Sequence, residues 1–154
     1  MLKKRIIFTL LYDSGNFMLS RNFNLQKVGN SSWLKKNYDF SKLSFYIDEL
    51  IILDVSRKNK KKSDFFDILK NVTKKSFVPV SAGGGIESIK DAHKFLRSGA
   101  DKIVVNSVVF DNPSIINEIA KEFGKQSIIL SLDISKNLLK ETNNYNIWTK
   151  NGSL

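Results

Sequence analysis

The stretch Val78-Pro79-Val80-Ser81-Ala82-Gly83-Gly84-Gly85-Ile86-Glu87-Ser88 decides the fold. Val78–Ser81 reads as a short apolar strand that runs straight into three glycines. Ser88 then caps a helix whose apolar stripe is Ile89, Ala92, Phe95 and Leu96. Gly99 stops that helix, and Lys102–Asn106 follows as another strand. Pro113–Phe123 is a helix opened by proline and closed by Gly124, and Ser127–Ile134 reads as a fifth strand. The same alternation holds upstream. Arg5–Leu11 is an apolar, β-branched strand ended by Asp13-Ser14-Gly15, and Glu49–Val55 is a second. Ser63 stands as N-cap of a helix through Lys75, with Phe65, Phe66, Ile68, Leu69 and Val72 at helical spacing. Between Gly15 and Asp48 the pattern is weaker. Phe17, Leu19 and Phe23 suggest a hairpin-like excursion, and Ser32–Leu43 a poor helix with Trp33, Leu34 and Tyr38 on one side. Tyr145–Thr149 reads as a last strand before Asn151-Gly152.

Strands that are apolar throughout, alternating with amphipathic helices, belong to an α/β fold with a parallel sheet covered by helices. About five strands and four helices fit an open doubly wound sheet or part of a (β/α)8 barrel. The 154 residues allow one domain, with no linker or low-complexity tract dividing it. A complete barrel needs roughly 200–250 residues, so this length supplies a little more than half of one.

Composition narrows the function classes. The absence of cysteine excludes disulfide frameworks, thiolate metal sites and cysteine nucleophiles. No apolar run approaches the ~20 residues of a membrane helix. The N-terminus lacks a small-residue cleavage site, so a reducing cytoplasm is the expected compartment. The net charge of +10 raises the question of nucleic acid, but 21 of the 25 basic residues are lysine and only 4 are arginine. Lys, Asn and Ile make up a third of the chain, the bias an AT-rich genome writes into any protein. The densest run, Arg57-Lys58-Asn59-Lys60-Lys61-Lys62, has no interleaved aromatic to stack a base. It reads as a solvated loop, with a phosphate-steering role as the alternative.

Gly83-Gly84-Gly85 lies between a strand and a helix, where backbone N–H groups can cradle a phosphate. A ligand-free tight turn would use the same residues, and the spacing is not the dinucleotide fingerprint. Asn106-Ser107 ends the next strand, and adjacent parallel strands deliver both groups to one C-terminal edge, where such sheets bind ligands. The lone His93, beside Asp91 and Lys94, reads as solvent-facing. No metal-ligand spacing surrounds it, so neither metal nor cofactor is assigned.

Several segments together carry a family resemblance. They are Met1-Leu2-Lys3-Lys4-Arg5-Ile6-Ile7, Asp48-Glu49-Leu50 through Leu53-Asp54, and Gly83-Gly84-Gly85-Ile86. Gly99-Ala100-Asp101-Lys102, Asn106-Ser107, and Phe123-Gly124-Lys125-Gln126-Ser127 running into Leu132-Asp133 continue the series. From Met1 to about Ser135 the chain resembles the cyclase subunit of imidazole glycerol phosphate synthase. The resemblance implies a (β/α)8 barrel with a glutaminase subunit docked at its N-terminal face. Ammonia would pass through the centre to a bis-phosphorylated substrate at the other face. It further implies phosphate-binding roles for Gly84, Gly85, Asn106 and Ser107, and an acid–base role for Asp133. Arg5, Glu49 and Lys102 match three of four charges ringing the ammonia entrance, and Asp101 matches a carboxylate facing the glutaminase. Strand-end charges of this kind also occur as ordinary solvated salt bridges.

The departures matter as much. The partner catalytic aspartate falls on Leu11, which transfers no proton, and an expected loop lysine falls on Leu19. Asp13 lies two residues beyond Leu11, displaced about 6–7 Å along a strand. Proton transfer needs an approach near ~3 Å. This pattern is similar to a divergent branch of the family associated with amidating surface-polysaccharide sugars. That branch implies a subunit that partners a glutaminase and conducts ammonia to a phosphorylated or sugar acceptor. Two alternatives stand beside it: a competent cyclase of histidine biosynthesis, and a basic phosphate- or nucleic-acid-binding half barrel. The domain expectation is a single truncated barrel over residues 1–154. Its exposed edges and apolar face imply marginal stability, or pairing with a second half-barrel chain.

Overall fold

A computed structural model describes residues 3–56, 62–136 and 145–149. β1 (Ile7–Asp13) turns into a hairpin of β2 (Asn16–Arg21) and β3 (Asn24–Asn30). Two short helices, α1 (Ser31–Asn37) and α2 (Phe40–Leu43), lead to β4 (Glu49–Asp54). Then follow α3 (Lys62–Thr73), β5 (Val80–Gly83), α4 (Ile89–Arg97), β6 (Lys102–Val105), α5 (Val108–Asp111), α6 (Ser114–Phe123) and β7 (Ile128–Leu130). A separate ribbon pairs β8 (Asp133–Lys136) with β9 (Tyr145–Trp148). The main sheet runs β3-β2-β1-β4-β5-β6-β7, and its last five strands are mutually parallel. These strands and their helices are the N-terminal part of a (β/α)8 barrel.

Alternation along the strands sorts the two faces. Leu10, Tyr12, Leu50, Ile52, Val80, Ala82, Ile103 and Val105 are buried beneath the helices. They meet Phe65 and Leu69 of α3, Ala92 and Phe95 of α4, and Ile115 and Ile119 of α6. Truncating any one of the fully buried leucines or isoleucines here costs about 2–5 kcal/mol. Tyr12 packs its ring on Phe17 and Phe65, and burial pushes its phenol above the ordinary value of 10.0. The other face carries Ile7, Thr9, Leu11, Ile51 and Leu53, none of them buried.

The parallel register is set by one device used twice. Asp48 donates its N–H to the Ile6 carbonyl (2.8 Å), and its carboxylate accepts the Ile6 N–H (2.7 Å). Asp101 does the same with Val80, at 2.8 and 2.7 Å. Each aspartate precedes its strand by one residue and fixes where that strand meets its neighbour.

Several boundaries differ from the sequence reading. The strand expected at Val78–Ser81 begins at Val80 and ends at Gly83, because its pairing to β6 extends to the first of the three glycines. Ser63, expected as a cap, is the second residue of α3. The expected helix over Ser32–Leu43 is two helices, since Tyr38 leaves helical geometry and the Asp39 side chain caps α2. The fifth strand ends at Leu130 rather than Ile134. Its neighbour β6 stops at Val105, Ser131 takes the last carbonyl there (2.8 Å), and the chain next pairs with β9. His93 does not face open solvent: it sits between α4 and α6, its Nε2 paired with Glu122 and its ring edge-on to Phe123 at 4.7 Å. Most of the basic run Arg57–Lys62 lies outside the described residues, as does Asn151-Gly152.

Asp101→Ala removes the acceptor for the Val80 N–H. It is expected to cost about 1–2 kcal/mol in urea denaturation, with Asp101→Glu, one methylene longer, also failing to restore the register.

Candidate functional site

Parallel strands send their C-terminal ends to one edge, and there a cavity of about 750 Å³ opens. Its floor is apolar: Leu11, Leu53 and Val104 come from three different strands of the non-helical face. Gly84, Gly85, Asn106 and Ser107, the expected phosphate positions, all line it, and so does Asp133. The glycines are required by geometry. A Cβ on Gly83 would collide with the Val104 carbonyl, and one on Gly84 with the Asp54 carbonyl. Gly84 (φ 120) and Gly85 (φ 60) both occupy positive φ ahead of the Ser88-capped helix, whose Asp91 N–H donates to Ser88 Oγ (3.3 Å). Consecutive backbone N–H groups in such a loop form a concavity suited to an anion.

Asp133 enters the cavity from the start of the ribbon. Its carboxylate accepts a hydrogen bond from Asn106 Nδ2 at 2.9 Å, and Trp148 Nε1 ties the ribbon through Ser135 Oγ at 2.7 Å. Leu11 brings hydrocarbon to the same cavity. Asp13 continues β1 past it, pairs with Asn16 across the hairpin, and accepts from Ser14 Oγ at 2.8 Å, away from the cavity lining. Leu19 is exposed on β2.

Three acidic lining residues escaped the sequence reading. Asp54, Glu87 and Asp111 join Asp133, so four carboxylates line the cavity and no lysine, arginine or histidine does so among the described residues. An anion bound here would therefore rest on backbone donors and hydroxyls. The β2–β3 tip adds Ser20, Phe23 and Leu25 to the rim. Asn22 (φ 49) and Phe23 (φ 62) are both left-handed, a geometry that a bulky aromatic adopts at a cost of about 1–2 kcal/mol. An Asn-Phe dipeptide gives little hint of such a turn, which usually carries glycine second.

At the opposite, N-terminal end of the strands the three expected entrance charges do come together. Glu49 is buried, Arg5 pairs with one of its oxygens, and Lys102 approaches the other at 3.6 Å. Just above them Ser81, fully buried, has no partner for its hydroxyl in the structure. Asp101, expected to face a partner, spends its carboxylate on the Val80 N–H.

A barrel-type sheet with a glycine-lined cavity at one end and a charged cluster at the other defines a chain of the (β/α)8 class. A family model described as histidine biosynthesis protein matches residues 22–154. The chain belongs to this family, and within it is similar to cyclase subunits. It is 47% identical over 133 residues to a protein of Parasynechococcus marenigrum (strain WH8102) described as imidazole glycerol phosphate synthase subunit hisF2, covering 86% of this chain and 49% of that one. It is 34% identical over 155 residues to the imidazole glycerol phosphate synthase subunit HisF of Dictyoglomus thermophilum, covering 100% and 59%. The HisF subunit of Helicobacter hepaticus is 34% identical over 152 residues, covering 98% and 58%. The chain thus spans about half the length of the curated relatives it matches. No helix among the described residues is long and apolar enough to cross a membrane.

Gly84→Ala is expected to lose about 1–3 kcal/mol of stability, from its positive φ and the Asp54 carbonyl, read as a lowered thermal midpoint. Added inorganic phosphate should raise the midpoint of the parent and not that of the variant.

Proposed function

We propose that this chain is a divergent cyclase-type subunit of a glutamine amidotransferase complex. It receives ammonia from a glutaminase partner and conducts it toward a phosphorylated or sugar acceptor, with its own cyclase chemistry impaired. The observation that carries the reading is the contrast between the two ends of the sheet. At the N-terminal end Glu49 is held between Arg5 and Lys102, an arrangement with a desolvation cost that a plain solvated charge would not carry. At the C-terminal end the cavity keeps Asp133, oriented by Asn106, and presents Leu11 where the second acid–base group belongs. The 47% identity to the Parasynechococcus protein, whose name marks a second copy, supports a branch apart from the standard subunits.

The chemistry follows from those groups. Two cations on the single Glu49 leave this cluster net positive, which favours neutral ammonia over ammonium at the entrance. In the cavity Asp133 takes or gives a proton at one face of a bound ligand, while Leu11 offers none at the other. General acid–base catalysis contributes ~10²–10⁴-fold, so the cyclase reaction should be slower by that factor. A second reading, a competent lyase subunit of histidine biosynthesis, draws on the same oriented Asp133 and on Asp54 in the lining.

The test is turnover of the bis-phosphorylated cyclase substrate with ammonium salt as nitrogen donor. The parent is expected to fall ~10²–10⁴-fold below a subunit with aspartate at this position, and Leu11→Asp to recover at least tenfold. An ordinary rate for the parent selects the second reading.

A further inference from the structure

One row of residues across the sheet is apolar from strand to strand where the strands reach the cavity. Leu11 of β1 stands beside Leu53 of β4, Leu53 beside Gly83 of β5, and Gly83 beside Val104 of β6. Leu11, Leu53 and Val104 all line the cavity, and Gly83 adds no side chain between them. Phe23 and Leu25 add hydrocarbon at the rim. The cavity is therefore amphipathic. It is polar at Gly84, Gly85 and Ser107, and its floor offers no hydrogen bond. A hydroxyl or charged group set on that floor gives up its water without a partner, whereas an apolar group gains by leaving water.

The rest of the polar lining points the same way. Asn106 turns its Nδ2 to Asp133, and its Oδ1, an acceptor, is buried without a partner. Asp54, Glu87, Asp111 and Asp133 are acceptors too, and no lysine, arginine or histidine answers them among the described residues. Phosphate oxygens are themselves anionic acceptors, so away from the glycine loop this lining repels a second phosphate. At about 750 Å³ the cavity nonetheless has room for far more than one phosphate ion. We infer that the cavity takes a phosphate monoester with an apolar body. The phosphate rests on the backbone donors of the glycine loop, and the body covers Leu11, Leu53 and Val104. The inference rests on the reading of a phosphorylated acceptor and narrows that acceptor's class. Leu11, which removes an acid–base partner in that reading, here has a positive role: it extends the hydrocarbon floor from Leu53 to the first strand.

The experiment is isothermal titration calorimetry of the full chain with five probes: phenyl phosphate, inorganic phosphate, ribose 5-phosphate, ribulose 1,5-bisphosphate and phenol. Phenyl phosphate is expected to bind at least tenfold tighter than inorganic phosphate or ribose 5-phosphate. The bisphosphate should bind no tighter than inorganic phosphate. Leu11→Asn should weaken phenyl phosphate at least fivefold, leave inorganic phosphate within twofold, and keep the thermal midpoint. Equal affinities for the phenyl and ribose esters in the parent overturn the apolar body, whatever the variant does. A preference that survives intact in Leu11→Asn overturns its placement on this floor. The bisphosphate binding tightest overturns the single phosphate. Phenol binding as tightly as its phosphate, or no binding of any phosphate, overturns the role of the glycine loop. The turnover assay with free ammonia reports proton transfer rather than this preference, so the inference and the reading beneath it fail separately.

Discussion

Everything in this molecule hangs on the register of its parallel strands, and two aspartates hold it. Asp48 and Asp101 each close a two-bonded ring with the residue beside them, Ile6 and Val80. Side chains on a strand alternate with period two, so a one-residue slip would turn every face inside out. Leu50 and Ile52 would leave the helices, and Glu49 would leave its two cations. The same register also aligns Gly83 of β5 with Val104 of β6, so the cavity and the charged cluster are two readings of one alignment.

The two ends differ in chemistry for a reason deeper than any single residue. Helices packed on a parallel sheet point their N-termini toward the strand C-termini, so acids gather at one end and bases at the other. Asp91 in the first turn of α4 and Arg97 in its last turn follow that rule. Function is layered on this gradient. The cavity end is lined by carboxylates around a glycine loop, and the opposite end is a lysine field interrupted by exposed rings.

The parallel core was legible in the sequence because its strands are continuous apolar runs and its helices carry clear stripes. The bringing together of Arg5, Glu49 and Lys102 was anticipated through family likeness, as was the grouping of Gly84, Gly85, Asn106 and Ser107. What stayed hidden was tertiary. His93 looked solvent-facing because nothing in its own helix announces Glu122 and Phe123 from α6. The fifth strand read too long because apolar residues continue through Leu132 and Ile134, whereas its length is set by where β6 stops. Asp54, Glu87 and Asp111 were invisible as cavity residues because they lie far apart in the chain.

The ribbon carries a consequence for the order of events during synthesis. Asp133 faces Trp148 across β8 and β9, with the intervening residues emerging from the ribosome between them. Strands β1 to β7 have all been made once Leu130 is added, yet Asp133, the carboxylate that Asn106 orients in the cavity, waits for the ribbon's second strand, translated later. The nascent chain thus acquires its scaffold before its chemistry, and the cavity stays unfinished until the tryptophan closes the ribbon.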